Sequence, residues 1–271
     1  MATIDLKDLS LSYGNNGTAH KALSDVNLSI EDGEFVSLIG PSGCGKSTII
    51  DVVSGLKSPT YGSVLVDGIP VDGPGTDRGI VFQDYSLFPW MTTFENISFA
   101  IEHTKTTKDR RIIDEKAHRF LELVGLEKFK DTYPNNLSGG MRQRAAIARM
   151  FSIDPKVFIM DEPFGALDSL NRSNMQDLLL HLWSAGERHK TVLFVTHDVD
   201  EALLLSDRIA VMSSSPGRIQ EIIDVPFSRP RHRKDLSVSK DYTDLKAYLL
   251  SILHGESSED SQGLENKPKG S

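Results

Sequence analysis

The nine residues "GPSGCGKST" at positions 40–48 constrain this chain more tightly than any other stretch in it. They satisfy the pattern G-x-x-x-x-G-K-[ST]; a short apolar run, "FVSLI" (35–39), precedes them and a helical pattern, "KSTIIDVVSGL", follows at once. A strand that ends in a glycine turn and opens into a helix aims successive backbone N–H groups and the helix dipole at one point, which is how a backbone holds phosphate. Gly40, Pro41, Ser42, Gly43, Cys44 and Gly45 form the cradle. Lys46 is placed to reach the β- and γ-phosphates of a nucleotide, Ser47 a Mg2+ ion and Thr48 a further phosphate oxygen. Cys44 fills a free position of the pattern and reads as a filler rather than a nucleophile, since no histidine base adjoins it in sequence, although a positive loop could lower its pKa and make it alkylatable.

A strand feeding such a loop belongs to the middle of an α/β sheet. Two further runs, "VFIM" (157–160) and "VLFVT" (192–196), are equally apolar and equally short, as strands covered by helices on both faces are. Other segments alternate instead. "TIDLKDLSLSY" does so with one phase shift between Leu6 and Leu9, and "VNLSIEDGE" alternates up to a turn, so both read as strands of a half-exposed antiparallel sheet. Residues 108–153 are helical in character, with Ile112, Ile113, Ala117, Phe120, Leu121 and Val124 on one face, and suggest a helical subdomain inserted between strands. "DRIAVMSSSPGRIQEIID" reads as a hairpin that closes the fold. Farther on, Leu245, Tyr248, Leu249, Ile252 and Leu253 share one face of a short amphipathic helix, and "ESSEDSQGLENKPKGS" has almost nothing to bury and reads as disordered. Neither a repeat nor a heptad run is evident.

Two of the apolar strands deliver polar groups to the edge where α/β sheets bind ligands. "VFIMDE" ends in Asp161, a ligand for Mg2+ either directly or through water, and Glu162, a general base toward an attacking water. "VLFVTH" ends in His197, whose imidazole can bind a γ-phosphate and orient that water. Gln83, closing "GIVFQ", offers an amide to either the metal or the water. A second anion-ready helix start, "LSGGMRQR" (137–144), places Ser138, Gly139 and Gly140 where a backbone again points N–H groups outward.

A net charge of −8 argues against nucleic acid as a partner, because such surfaces are dominated by Lys and Arg. One cysteine allows no intrachain disulfide, and "MATIDLKDLS" lacks the layout of a secretion signal, so a cytoplasmic protein is expected. No apolar run approaches the ~18–20 residues of a membrane-spanning helix, so any membrane association runs through a partner.

Taken in order, Tyr13, "GPSGCGKST", Gln83, "LSGGMRQR", "VFIMDE", "ALD" ending at Asp168, and His197 resemble the ATP-binding subunit of ATP-binding-cassette (ABC) transporters over residues 3–225. The resemblance implies a phosphate-loop α/β core with an antiparallel β subdomain and an inserted α-helical subdomain at about residues 84–153. Residues 226–255 would be a C-terminal extension and 256–271 a disordered tail. It implies that Tyr13 stacks on adenine and that two copies close head-to-tail on two ATP molecules. Ser138, Gly139 and Gly140 of one copy would then complete the nucleotide site of the other, and Asp168 is a further nucleotide-site residue. It also implies an integral-membrane permease at the cytoplasmic face of the membrane and, indirectly, an extracytoplasmic binding protein.

Leu87, Phe88, Trp90 and Met91 would each contribute ~1.5–3 kcal/mol if buried, so they need a cover, either the helical subdomain or the permease. "LFPWMT", "PFGALD" and "MSSSPGRIQEIIDVPFSRPR" are similar to the nitrate, sulfonate and taurine import branch, for which the cargo is a small anion: nitrate, taurine, an alkanesulfonate, bicarbonate or an aromatic precursor. Other readings fit less well. A soluble ABC ATPase of translation or repair would carry a second cassette or a coiled coil. A GTPase-type switch would carry N-K-x-D, where "ENKPK" has Lys269 in place of Asp. An exporter often carries its membrane part on the same chain.

Overall fold

A computed structural model describes residues 2–14, 20–104, 107–184, 189–214 and 216–262 of the chain, with side chains described up to residue 255. Two sheets organise it. The larger has six strands in the order β10-β9-β3-β8-β7-β6, where β3 is Phe35–Ile39, β6 Arg78–Val81, β7 Val157–Asp161, β8 Thr191–Val195, β9 Arg208–Met212 and β10 Ile219–Asp224. All its neighbours run parallel except the hairpin of β9 with β10. The smaller sheet is antiparallel, in the order β2-β1-β4-β5, with β1 Ile4–Tyr13, β2 His20–Ile30, β4 Tyr61–Val66 and β5 Ile69–Pro70.

The unbroken apolar runs of β3, β7 and β8 follow from burial on both faces. Val36, Leu38, Val157, Ile159, Leu193 and Val195 face helix α1 (Lys46–Val53) and the inner face of the antiparallel sheet. Phe35, Phe158, Met160, Val192 and Phe194 face the other way, toward α4 (Gly139–Ser152) and α5 (Ser169–Ser184). Period-2 alternation therefore serves two cores rather than a core and solvent.

The phase shift in β1 has a local cause. Asp8 adopts a left-handed backbone (φ 51°) and the register with β2 slips between Leu6 and Leu9, a β-bulge that returns Leu9 to the core. On the other side Gly62 of β4 passes so close that a Cβ there would stand 2.4 Å from the carbonyl oxygens of Lys7 and Asp8. Only glycine fits.

The helical segment comprises α2 (Thr93–His103), α3 (Arg110–Leu123) and α4, packed on Ile97, Ile101, Ile113, Ala117, Leu121, Ala145 and Ala148. Helix α2 lies ahead of residues 108–153, whose pattern reads as helical, and inside the residues 84–153 that the resemblance assigns to a helical subdomain. Its start is a capping box in which Thr92 accepts from the Glu95 N–H and Glu95 accepts from the Thr92 N–H. Asn96, fully buried, bonds Phe88 through both its amide oxygen and nitrogen and also reaches the carbonyls of Met91 and Thr92. Its amide fixes the loop before α2, so Leu87, Phe88 and Met91 lean inward while Trp90 is 68% exposed.

The C-terminal helix is longer than expected. After α6 (Val199–Leu205) and α7 (Arg233–Ser237), α8 runs Lys240–Gln262, past the Leu245–Leu253 stretch and into the tail read as disordered; residues 263–271 of that tail, and Ser215 of the hairpin turn, lie outside the described residues. Leu249 is fully buried, Leu245, Ile252 and Leu253 pack partly beside it against α6 and β9, and Tyr248 instead sits at the margin with its hydroxyl on Glu221.

Candidate nucleotide site

The loop between β3 and α1 forms because glycine supplies conformations that other residues resist. Gly43 and Gly45 have φ of 80° and 100°, and a Cβ on Gly40 would stand 2.8 Å from the Met212 carbonyl oxygen. Gly45 leaves α1 without a side-chain cap, so the N–H groups of its first turn point into the cleft. That cleft, about 460 Å³, is lined by Ser42, Gly43, Gly45, Lys46, Ser47, Thr48, Gln83, Glu162 and His197. The ends of four sequence-distant segments thus converge. Gln83 reaches the cleft from a loop two residues beyond the end of β6, not from the strand itself as the sequence suggested.

Lys46 is 7% exposed, and its ammonium donates to the carbonyls of Gly40 (2.8 Å) and Pro41 (3.0 Å). These two residues thus orient the lysine and do not line the cleft. Cys44 turns away as well. It is 1% exposed, and burial pushes its thiol above the ordinary value despite the opposing Lys46 charge. The reading of Cys44 as a filler agrees with this burial, and the lowering that a positive loop could bring is outweighed, because desolvation of a thiolate exceeds the effect of one nearby cation.

Asp161, the last residue of β7, is flanked by Ser47 and Glu162. Burial pushes its carboxyl up, the Glu162 and Asp51 charges add to that, and Ser47 and Lys46 oppose it. Glu162 has φ 44°, at a cost of roughly 1–2 kcal/mol for a non-glycine residue. Its N–H donates to the Val195 carbonyl and its carbonyl accepts from Gly165, which fix the turn and bring its carboxylate 3.1 Å from His197 Nδ1. Tyr13 closes the other side. Its hydroxyl is 3.2 Å from Thr48 Oγ1 and accepts from Lys57, whose ammonium lies 4.8 Å from the ring centroid.

Whether this donor set suits Mg2+ follows from its chemistry. Ser47, Gln83 and Asp161 offer oxygen atoms, and among the described residues no group of three or more His, Cys, Asp or Glu side chains is arranged to hold a metal by itself. A site with one or two carboxylates and neutral oxygens fits Mg2+ when phosphate oxygens complete the shell.

Ser138, Gly139, Gly140 and Asp168 lie apart from the cleft. Ser138 is exposed and caps α4 by accepting from the Met141 N–H; a Cβ on Gly139 would meet nothing within 4 Å, and one on Gly140 would touch Asn171 at 3.7 Å. Asn171 donates to Asp168 from backbone and side chain, which holds that carboxyl below its ordinary range. The two anion-ready helix starts therefore belong to separate surfaces of one chain.

One functional connection escaped sequence reasoning. Past Gln83, Tyr85 and Ser86 are consecutive left-handed residues (φ 66° and 44°). Arg149, half-buried on α4, donates to the Ser86 (2.8 Å) and Tyr85 (3.4 Å) carbonyls and lies over the Phe88 ring. The Gln83 loop is thereby tied to the helix that Ser138 caps. No local pattern links positions 85 and 149; a lone arginine within the apolar run "AAIARMF" was the available signal.

A family model described as ABC transporter matches residues 23–165. An uncharacterized ABC transporter ATP-binding protein of Methanocaldococcus jannaschii, MJ0412, is 46% identical over 253 residues, 93% of this chain and 92% of that protein. The nitrate import ATP-binding protein NrtD of Synechococcus elongatus is 46% identical over 238 residues, 86% and 85% of the two chains, and the bicarbonate transport ATP-binding protein CmpD of a Synechocystis species is 42% identical over 262 residues, 96% and 92%. Among solved structures, a dimeric post-hydrolysis state of the ATP-binding cassette MJ0796 bound to ADP and Pi superposes with a TM-score of 0.73 at 33% identity, covering 83% of this chain and all of that one.

Proposed function

The chain belongs to the ABC transporter family as an ATP-binding, ATP-hydrolysing subunit of an importer, and from that premise we propose that its importer carries a small anion such as nitrate, bicarbonate, a sulfonate or taurine. The observation that carries this reading is the 46% identity to a nitrate import subunit along 85% of that protein's length. No helix among the described residues is long and apolar enough to cross a membrane. In this reading the chain sits at the cytoplasmic face through a permease, and an extracytoplasmic binding protein delivers the cargo. Trp90, held outward by the Asn96-fixed loop, is the side chain offered to the permease.

Each residue's work follows from its place. The loop N–H groups and Lys46 bind the triphosphate, and Tyr13 stacks on adenine beside Thr48. Bound Mg2+ would neutralise developing phosphoryl charge, with Ser47, Asp161 and Gln83 as its protein ligands. Glu162 takes the proton of the attacking water as general base, and His197, 3.1 Å away, holds that carboxylate and faces the γ-phosphate. A second copy, docked head-to-tail, brings its exposed Ser138 and the half-buried Gly139 and Gly140 over that phosphate, with Asp168 at the seam. Nucleotide then joins the two copies and hydrolysis releases them.

The cargo is tested by reconstituting the chain with its permease and binding protein and measuring ATP turnover as each anion is added. Stimulation by nitrate, bicarbonate or a sulfonate supports the reading; stimulation only by a neutral sugar or a polyamine contradicts it.

A further inference from the structure

We propose that Arg231, Tyr242 and Lys246, all in the C-terminal extension, are positioning residues for His197: they grip the two ends of α6, the helix that begins one residue beyond its N-cap neighbour Asp198. Helix α6 has seven residues, so it moves as a short rigid rod and its first turn carries the backbone of His197 with it. Two side-chain links make that connection tight. Asp198 accepts from the N–H groups of Asp200 and Glu201, and Thr196, on the other side of His197, donates to Glu201 at 2.6 Å.

At the far end of the rod the last carbonyls lack helical partners, and the extension supplies them. The Arg231 guanidinium, almost fully buried, donates to the carbonyls of Leu203, Leu204 and Ser206 and, through Nε, to Phe227; Arg229 beside it donates to Leu205 and to the Asp207 carboxylate. A cation is also the favoured charge at a helix C-terminus. At the near end, Asp200 in the first turn accepts from the Tyr242 hydroxyl at 2.6 Å and from Lys246 at 2.8 Å, both on α8. Between α6 and the extension lies a cavity of about 710 Å³ lined in part by Gln176, Asp200, Glu201, Arg233, Tyr242 and Lys246. On that side these polar links act together with the apolar packing of Leu245, Leu249 and Leu253 against Val199, Ala202 and Leu203 to fix where α6 stands. The extension thereby acts on the nucleotide cleft without touching it, through α6 and then the 3.1 Å contact of His197 with Glu162.

The inference rests on the role given above to His197 and Glu162. Its test uses the full chain and compares wild type, Tyr242→Phe combined with Lys246→Ala, Arg231→Lys, and Lys246→Arg as the conservative control. The measurements are kcat, the Kd of a slowly hydrolysed ATP analogue with Mg2+, and Tm. The Tyr242→Phe/Lys246→Ala pair and Arg231→Lys are expected to lower kcat roughly tenfold, as small misplacements of catalytic groups do. The analogue Kd should stay near the wild-type value, because the phosphate loop is untouched, and Lys246→Arg should retain kcat. Should Arg231→Lys not fold, the α8 pair decides. Wild-type kcat in that pair, or a fall in kcat matched by an equal fall in nucleotide affinity, overturns the proposal. Glu162→Gln measured alongside separates the two readings: full turnover there defeats the cleft mechanism itself, whereas an inactive Glu162→Gln with a fully active α8 pair defeats only the clamp.

Discussion

The starts of α1 and α4 are chemically alike and structurally opposite. Both are glycine-rich helix N-termini with N–H groups free for an anion. At α1 the loop is recessed: Lys46 is buried, and Gln83, Glu162 and His197 arrive from other segments to wall a cleft. At α4 Ser138 is exposed, open space surrounds Gly139, and the nearest neighbours of Gly140 are Asn171 and Leu167. Walls, not local sequence, decide which start is a binding cleft and which is a face that needs another molecule to complete it. An open helix start shares its ligand with water, so its N–H groups gain their full value only when a partner surface excludes solvent.

The largest effect should come from the walled site. Glu162→Gln keeps one acceptor oxygen but replaces the carboxylate base with a neutral amide, so turnover is expected to fall roughly 10²- to 10⁴-fold while ATP binding persists, as steady-state ATPase and nucleotide titration will show. Next comes the open face. Ser138→Arg should lower kcat roughly 10²- to 10³-fold, the scale of one lost oxyanion donor, while leaving nucleotide affinity of the monomer unchanged. An equal loss of monomer affinity in that variant would erase the distinction between the two starts. Lys46→Ala removes a charge-assisted contact worth about 1.5–3 kcal/mol, and so should weaken ATP binding roughly ten- to a hundredfold in Kd.

The smallest effect sharpens the contrast within the loop itself. Cys44 faces the core beside Lys46, so Cys44→Ala should leave ATP affinity unchanged, and a maleimide should modify the native thiol far more slowly than the unfolded one. Fast labelling of the folded protein would show the loop to be open where it is closed here.

Sequence made the walled site legible because its parts are contiguous or sit at the ends of buried strands. "GPSGCGKST" encodes its own turn, and β7 and β8 announce Asp161, Glu162 and His197 by their apolar runs. The bulge at Asp8 was visible as a broken alternation between Leu6 and Leu9. Helix α2 was legible only through the resemblance, within the helical subdomain at about residues 84–153, since the apolar residues of "SLFPWM" just before it blur its own period, although Thr92 and Glu95 carry a capping box. Cys44 reads as a filler and is one, but that burial outweighs the charge of Lys46 is not written in the sequence. The ties of Arg149 to Tyr85 and Ser86, and of Arg231 to α6, join residues too far apart for any periodicity to connect them.

The central claim is that the open face of one copy completes the walled cleft of another. Mixing Ser138→Arg chains with Lys46→Ala chains tests it most directly, since each homodimer has both composite sites damaged while the mixed dimer has one intact site and one doubly damaged site. The account predicts ATP turnover in the mixture above the sum of the two variants measured alone. Turnover no greater than that sum, with mixed dimers verified, would contradict it.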